Sequence, residues 1–403
     1  MQTQNKPVIL LIAEAVTLAH FARIITLAKA LNPAAYQIIV ASDPRYINLS
    51  ESVDYTFHPI HSISTAEFTH ALARGKPLYT AKTLIRYVEE ELALFEKIKP
   101  DLVIGDFRLS LAVSAPLCQI PYAAVVNAYW SPYAEINYPV PDLPMAQILG
   151  VPLAQKLFDR VRPLAFALHA RPLNQVRRYF GLSSLGSDLR NIYTWGDYTL
   201  YADSPAVVPV RNLPANHHYL GPILWSAHTA LPGWWDRLPK DKPLIFVTLG
   251  SSGQADLLPV VLAALSVLPV TVIVATAGRV TLNAIPGNVF ATDYLPMEIA
   301  VRRSQLLICN GGNLTTYLAL ANGIPVLGLC SNMDQLLNMG AVERLGAGIL
   351  LRAAQVTVDK VLAAVNAALQ NSLYAETAGQ IGRELPQYNA EQRFQAIVAK
   401  MLC

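Results

Sequence analysis

The chain has 403 residues, of which 53% are hydrophobic and 15% charged. That length suits two or three domains, and so apolar a composition excludes an intrinsically disordered protein. The net charge of +3, from 31 basic and 28 acidic residues with no Lys/Arg run, argues against a nucleic-acid-binding role and leaves weak attraction to an anionic membrane surface open. The four cysteines, Cys118, Cys309, Cys330 and Cys403, fit neither a metal template nor a disulfide framework. No secretory leader pattern is present, and no uncharged stretch reaches the roughly 20 residues of a membrane span. The expectation is a soluble cytoplasmic protein.

In chain order, "KPVILLIAE" is a short apolar strand of the kind buried on both faces of a parallel sheet. A helical pattern over 18–31 follows, with His20 at its start. A histidine there serves either as a general base or as an ordinary core-edge residue. After the strand "YQIIVAS" comes "DLVIGD", which ends on Asp106, with Arg108 two residues later. Asp106 either orients a histidine from a neighbouring loop or caps the next helix.

The strand "YAAVVNA" leads into "NAYWSPYAEINYPVPDLP". Asn127, Tyr129, Trp130 and Tyr133 are gathered there and are expected to line a pocket for an apolar molecule. The leucine-rich stretch 145–173 carries Arg160, Arg162 and Arg171. It reads as pocket wall, as a membrane-interface helix or as a helix packed on the core with its arginines extended to water. Residues 216–241, with proline, glycine and tryptophan but no period, read as a linker.

The pattern then begins again. "KPLIFVTLGSSG" is a second buried strand, and its loop through Ser251 and Ser252 could admit a phosphate. A helix over 257–268 and the strand "VTVIVAT" follow. In "LLICNGGNLTTYLALANGIPVLGLC", Asn310, Gly311 and Gly312 join a strand to a helix that contains Asn313 and Thr315. Glycines there let an anion approach the free N–H groups of the helix. Asp334 and Gln335 begin the next helix and could hold sugar hydroxyls. The alternation implies two doubly wound α/β domains, with ligands beyond the carboxyl ends of the strands. No Asp-x-Asp pair or His/Cys cluster supports a metal site.

These residues together resemble glycosyltransferase family 1, of the GT-B fold. Against the family's donor motif, H-G-G-x-G-T-x-x-E-A-L-x-x-G-x-P, Gly311, Gly312, Thr315, Ala319, Leu320, Gly323 and Pro325 match. Asp334, Gln335 and Asn338 follow at the family's spacing, and Tyr294-Leu295-Pro296 resembles its Trp-x-Pro stretch. His20 and Asp106 match the catalytic histidine and its aspartate. Asn310 replaces the motif histidine, Leu314 the small glycine and Leu318 the ribose-binding glutamate.

The resemblance implies an α/β protein of GT-B fold, two doubly wound Rossmann-like domains facing a cleft. Residues 1–215 would bind the acceptor, and 242–385 the nucleotide sugar. Residues 386–403 would form a helix that crosses back to the first domain. His20 would be the base of an inverting sugar transfer, with Asp106 as its partner. Ser251, Ser252, Asn310, Gly311, Gly312, Asn313 and Thr315 would hold the donor diphosphate. Tyr294, Leu295 and Met297 would hold the base, and Asp334 and Gln335 the sugar. No metal or other cofactor is expected. The partners would be a UDP- or dTDP-linked sugar and an apolar small-molecule or lipid acceptor, with peripheral contact at the inner membrane face left open. A sugar-nucleotide epimerase of the same architecture and a catalytically silent nucleotide-sugar-binding protein are the competing readings.

Overall fold

A strand covered on both faces needs apolar side chains at every position, and the first strand shows how that works. In β1 (Val8–Ala13), Ile9, Leu11 and Ala13 enter one apolar cluster, while Leu10 and Ile12 enter another. Successive side chains point to opposite faces, so helices cover both sides. Full burial of each Leu or Ile contributes about 1.5–3 kcal/mol, which makes this strand an anchor for both layers.

The computed structural model describes residues 6–49, 55–227, 229–250, 253–282 and 285–402. They form two compact units. The first comprises the stretch to Glu135, Lys156–Ile223 and the residues from Tyr388 on; the second comprises Ile136–Gln155 and Leu224–Gln387.

In the first unit β1 is joined by β2 (Gln37–Ser42), β3 (Thr56–Pro59), β4 (Leu102–Asp106), β5 (Tyr122–Val126), β6 (Tyr198–Tyr201) and β7 (His217–Tyr219). The sheet runs β3-β2-β1-β4-β5-β6-β7, and every pair is parallel. The helix Leu18–Ala30 covers one face through Phe21, Ile24 and Ile25. Phe394 and Val398 of the helix Ala390–Met401 complete the same cluster. Asn389 caps that helix by accepting from the Gln392 N–H, and Arg393 donates to the Tyr219 carbonyl at 3.1 Å.

The strands of the second unit are β8 (Leu244–Thr248), β9 (Thr271–Ala275), β10 (Val289–Thr292), β11 (Leu306–Cys309), β12 (Val326–Cys330) and β13 (Gly348–Arg352). They form the sheet β10-β9-β8-β11-β12-β13, again parallel throughout. The helices Leu258–Ser266 and Val358–Gln370 close its core.

Strand order reverses once in each sheet. In the first, β1 lies between β2 and β4, and Ala13 pairs with Asp106. In the second, β8 lies between β9 and β11, and Thr248 pairs with Cys309. Loops leaving the two central strands diverge there, which opens a crevice at their carboxyl ends.

The unit boundaries differ from the sequence expectation in two places. Residues 136–155, expected in the first domain, belong to the second unit. Arg352 at the end of β13 pairs with Asp142 at 2.7 Å and donates to the Val140 carbonyl at 2.8 Å. The linker begins later than the expected residue 216 as well, because His217–Tyr219 extends the first sheet as a three-residue edge strand. Among the described residues, no helix is long and apolar enough to cross a membrane, and no group of three or more His, Cys, Asp or Glu side chains could hold a metal ion.

Candidate functional site

At the reversal of the first sheet, β1 and the helix Leu18–Ala30 carry His20, and β4 ends on Asp106. His20 Nδ1 is 2.7 Å from Asp106 Oδ1. Asp106 is fully buried, and the His20 side chain is 15% exposed. Nδ1 also lies 3.0 Å from Arg23 Nη2, but it cannot donate to the carboxylate and accept from the guanidinium at once. The shorter, charge-assisted contact assigns the proton to Nδ1 and leaves Nε2 with the lone pair.

Sequence reasoning missed Arg23, which is one helical turn after His20 and buried. Its Nε is 2.7 Å from Asp106 Oδ2, and its Nη2 donates to Oδ1 at 2.9 Å. Nη1 donates to Asn127 Oδ1, and Asn127 Nδ2 in turn donates to the Tyr129 hydroxyl. Asn127 therefore reaches the dyad through Arg23. The arginine neutralises part of the Asp106 charge and fixes the carboxylate in the plane that His20 needs. The available signal was one cation inside the apolar run "HFARII".

An aromatic group surrounds His20. Phe107 stacks on its ring at 4.8 Å between centroids with the planes 6° apart. Phe107 holds φ +56°, a left-handed backbone that costs about 1–2 kcal/mol for a side chain of this size. Phe68, Tyr79 and Tyr193 pack around Phe107, and Trp130 meets Tyr193 edge-on at 4.9 Å. Of the four expected acceptor residues, Trp130 thus joins the aromatic group. Tyr129 is a core side chain with no exposure, and Tyr133 packs against His217. The separation of Tyr129 from Trp130 follows from the 3₁₀ turn Ala128–Trp130, which sends consecutive side chains in different directions.

Beneath this group is a buried charge cluster. Arg108 pairs with Glu14 at 2.9 Å and with Glu91 at 2.7 Å. Burial pushes Glu14 up to about 7 despite Arg108, and Glu91 is raised for the same reason. Tyr87 donates to Glu14 at 3.0 Å.

At the reversal of the second sheet, β11 ends on Cys309 and the helix Asn313–Ala321 begins one short turn later. Asn310 Oδ1 accepts from the Gly312 N–H at 3.2 Å and shapes that turn. Gly311 has φ +79°, and a Cβ there would lie 2.7 Å from Cys330 Sγ and from Met339 Cγ. Only glycine fits this position. Asn338 Nδ2 holds the Gly311 carbonyl at 2.9 Å. Gly250 follows β8, and a Cβ there would lie 3.6 Å from the Asn310 amide. The first turn of the helix, which contains Asn313 and Thr315, therefore borders the same bend.

Ser251 and Ser252 lie outside the described residues. Arg279, which sequence reasoning also missed, donates to the carbonyls of Gly250 at 3.2 Å and Gly253 at 2.6 Å, bringing a cation to the expected phosphate loop. Tyr294 is 37% exposed and donates to the Ala277 carbonyl; Leu295 is buried, and Met297 opens the helix Met297–Arg302. Asp334 is half-buried. Gln335 is buried, and its Oε1 accepts from the Ser331 N–H and hydroxyl. Its Nε2 is buried without a hydrogen-bond partner. Leu318, in the position of the family's ribose-binding glutamate, is 2% exposed and part of the helix's packed face.

Comparison with known proteins fits this geometry. Residues 259–400 match the family described as erythromycin biosynthesis protein CIII-like, C-terminal domain. The chain is 50% identical over 373 residues to a PGL/p-HBAD biosynthesis rhamnosyltransferase of Mycobacterium bovis, covering 93% of this chain and 83% of that protein. It is equally similar to a PGL/p-HBAD biosynthesis glycosyltransferase of Mycobacterium tuberculosis, with 87% of that protein covered. Among solved structures, spinosyn rhamnosyltransferase SpnG complexed with thymidine diphosphate shares the fold, with a TM-score of 0.70, 18% identity and 97% and 99% of the two chains covered. With half of its residues shared with such enzymes across nearly all of its length, the chain belongs to the family 1, UDP-glycosyltransferase-like glycosyltransferases of GT-B fold.

Proposed function

We propose that this glycosyltransferase moves a deoxyhexose, with inversion, from a thymidine-diphosphate donor to a hydroxyl of an apolar, lipid-like acceptor. The observation that carries the reading is the His20–Asp106 pair, 2.7 Å apart at the strand-order reversal of the first sheet. His20 Nε2 would take the acceptor proton as the oxygen attacks the anomeric carbon, and Asp106 would stabilise the imidazolium. The stacked Phe107 and the Tyr193–Trp130 edge support an apolar acceptor beside that base.

In the second unit, the N-terminal turn of the helix Asn313–Ala321, beside Gly311 and Gly312 and with Arg279 nearby, would receive the charge of the leaving diphosphate. This arrangement supports transfer without a metal, and chelation should leave the rate unchanged. The buried Leu318 offers no group to a ribose diol, which favours a deoxyribose nucleotide. The relatives' names support the sugar and acceptor classes: one transfers rhamnose, and both act in PGL/p-HBAD biosynthesis. The thymidine diphosphate bound by SpnG supports the nucleotide.

The test is calorimetric titration with TDP, UDP and GDP, followed by transfer from the matching sugar nucleotide to a long-chain alkyl phenol. TDP should bind at least about tenfold more tightly than UDP, the weight of one good hydrogen-bonded contact. UDP binding as tightly as TDP would overturn the donor assignment. Binding without transfer to any apolar alcohol would overturn the acceptor class.

A further inference from the structure

The helix Val151–Tyr179 carries two apolar faces, and only one is covered. Phe158, Phe166, Leu173 and Val176 are buried. On the other side Leu157, Val161, Leu164 and Leu168 are 39%, 39%, 65% and 51% exposed. Their spacing of four, three and four residues keeps them in one stripe along the helix. Tyr179, 70% exposed, falls at the same helical phase one end further on. Apart from this helix, the large exposed hydrophobic residues described in the first unit are Tyr133 and Leu213. Such a concentration marks an interface, since isolated exposed leucines are ordinary but a continuous stripe is not.

The charges beside the stripe identify its partner. Lys156 and Arg160 each directly precede a stripe residue, and Arg171 and Arg178 continue the same edge; all four are exposed. Among the described residues, none of the four is in an ion pair. Asp159 is the one acid between Lys156 and Tyr179. A second copy of the helix would set cations against cations, whereas an anionic lipid surface complements them.

We propose that the exposed stripe Leu157–Val161–Leu164–Leu168, edged by Lys156, Arg160, Arg171 and Arg178, docks the protein on an anionic phospholipid bilayer. The apolar side chains enter the boundary between headgroups and acyl chains, and the cations meet the lipid phosphates. The helix lies along the surface and does not cross it. This inference rests on the helix alone and stands independently of the donor and the acceptor.

The test is co-sedimentation of the full chain with vesicles of phosphatidylglycerol and phosphatidylcholine, against phosphatidylcholine alone. Binding should require phosphatidylglycerol and weaken at high salt. The double variant L164S/L168S should lower partitioning at least about tenfold, as should R160E/R171E, with melting temperatures unchanged because these side chains are exposed. Failure to sediment with phosphatidylglycerol vesicles would overturn the proposal, as would equal binding by the serine variant. A wild-type dimer that the serine variant converts to monomer would overturn it too, assigning the stripe to a second copy.

Discussion

Replacement of Asp106 by asparagine tests the proposed chemistry and separates it from folding. The carboxylate faces His20 Nδ1 at 2.7 Å, so the charge centres of an ionised pair are about 4 Å apart. At an effective dielectric constant near 20, that attraction is about 4 kcal/mol, or roughly a thousandfold in rate. Arg23 reduces the figure, because its guanidinium already engages both oxygens of Asp106. We therefore expect kcat/KM to fall about a hundred- to a thousandfold. The same substitution leaves Arg23 buried opposite a neutral amide, which costs about 3–5 kcal/mol and about 10 °C in melting temperature.

The assay is initial-rate transfer from a TDP-deoxysugar to the alkyl phenol, below the variant's melting transition, with calorimetric TDP affinity as control. TDP affinity should be unchanged. The double variant R23M/D106N should recover most of the lost stability and none of the activity. If D106N retains activity within threefold of the wild type, or loses it only in proportion to the unfolded fraction, the dyad reading is wrong.

Further outcomes follow from the same structure. Gly311→Ala should destabilise by about 2–4 kcal/mol, from the left-handed backbone and the contacts with Cys330 and Met339, and should weaken TDP binding at least tenfold. Gly312→Ala, at φ −68° with its nearest contact at 3.4 Å, should be close to wild type in a thermal melt. Glu14, raised from an ordinary 4.5 to about 7, binds its proton more tightly in the folded state than in the unfolded chain. Its contribution is therefore present below pH 4.5 and lost as pH rises to about 7, by roughly 3 kcal/mol. Urea titrations from pH 4.5 to 8 should show this decline, and Glu14→Gln should flatten it.

What the sequence made legible was whatever local pattern encodes. The buried strands announce themselves as unbroken apolar runs, and Gly311, shortly after Cys309, marks a turn that no other residue can make. Asp106 was readable as a strand-end carboxylate, though its role against His20 required β1 and β4 to be neighbours. Arg23 was hidden because a buried cation and a surface cation look alike on an amphipathic helix. Phe107 and Tyr193 meet only after folding brings positions 86 residues apart into one aromatic group. The Asp142–Arg352 pair spans 210 residues, and neither side chain is unusual in its own neighbourhood.

The interleaving of the two units constrains the order in which the chain can acquire structure. The core that Phe21 and Ile25 begin stays open until Phe394 and Val398 arrive, after the whole second unit has been synthesised. The second unit, for its part, recruits residues 136–155 from within the span of the first. On a ribosome, then, the earlier unit would wait with an exposed apolar face for most of translation. A cut anywhere between Leu224 and Gln387 separates the first unit from Phe394 and Val398 of its own core. Vectorial synthesis thus favours completion of the second unit first, although its sequence comes later.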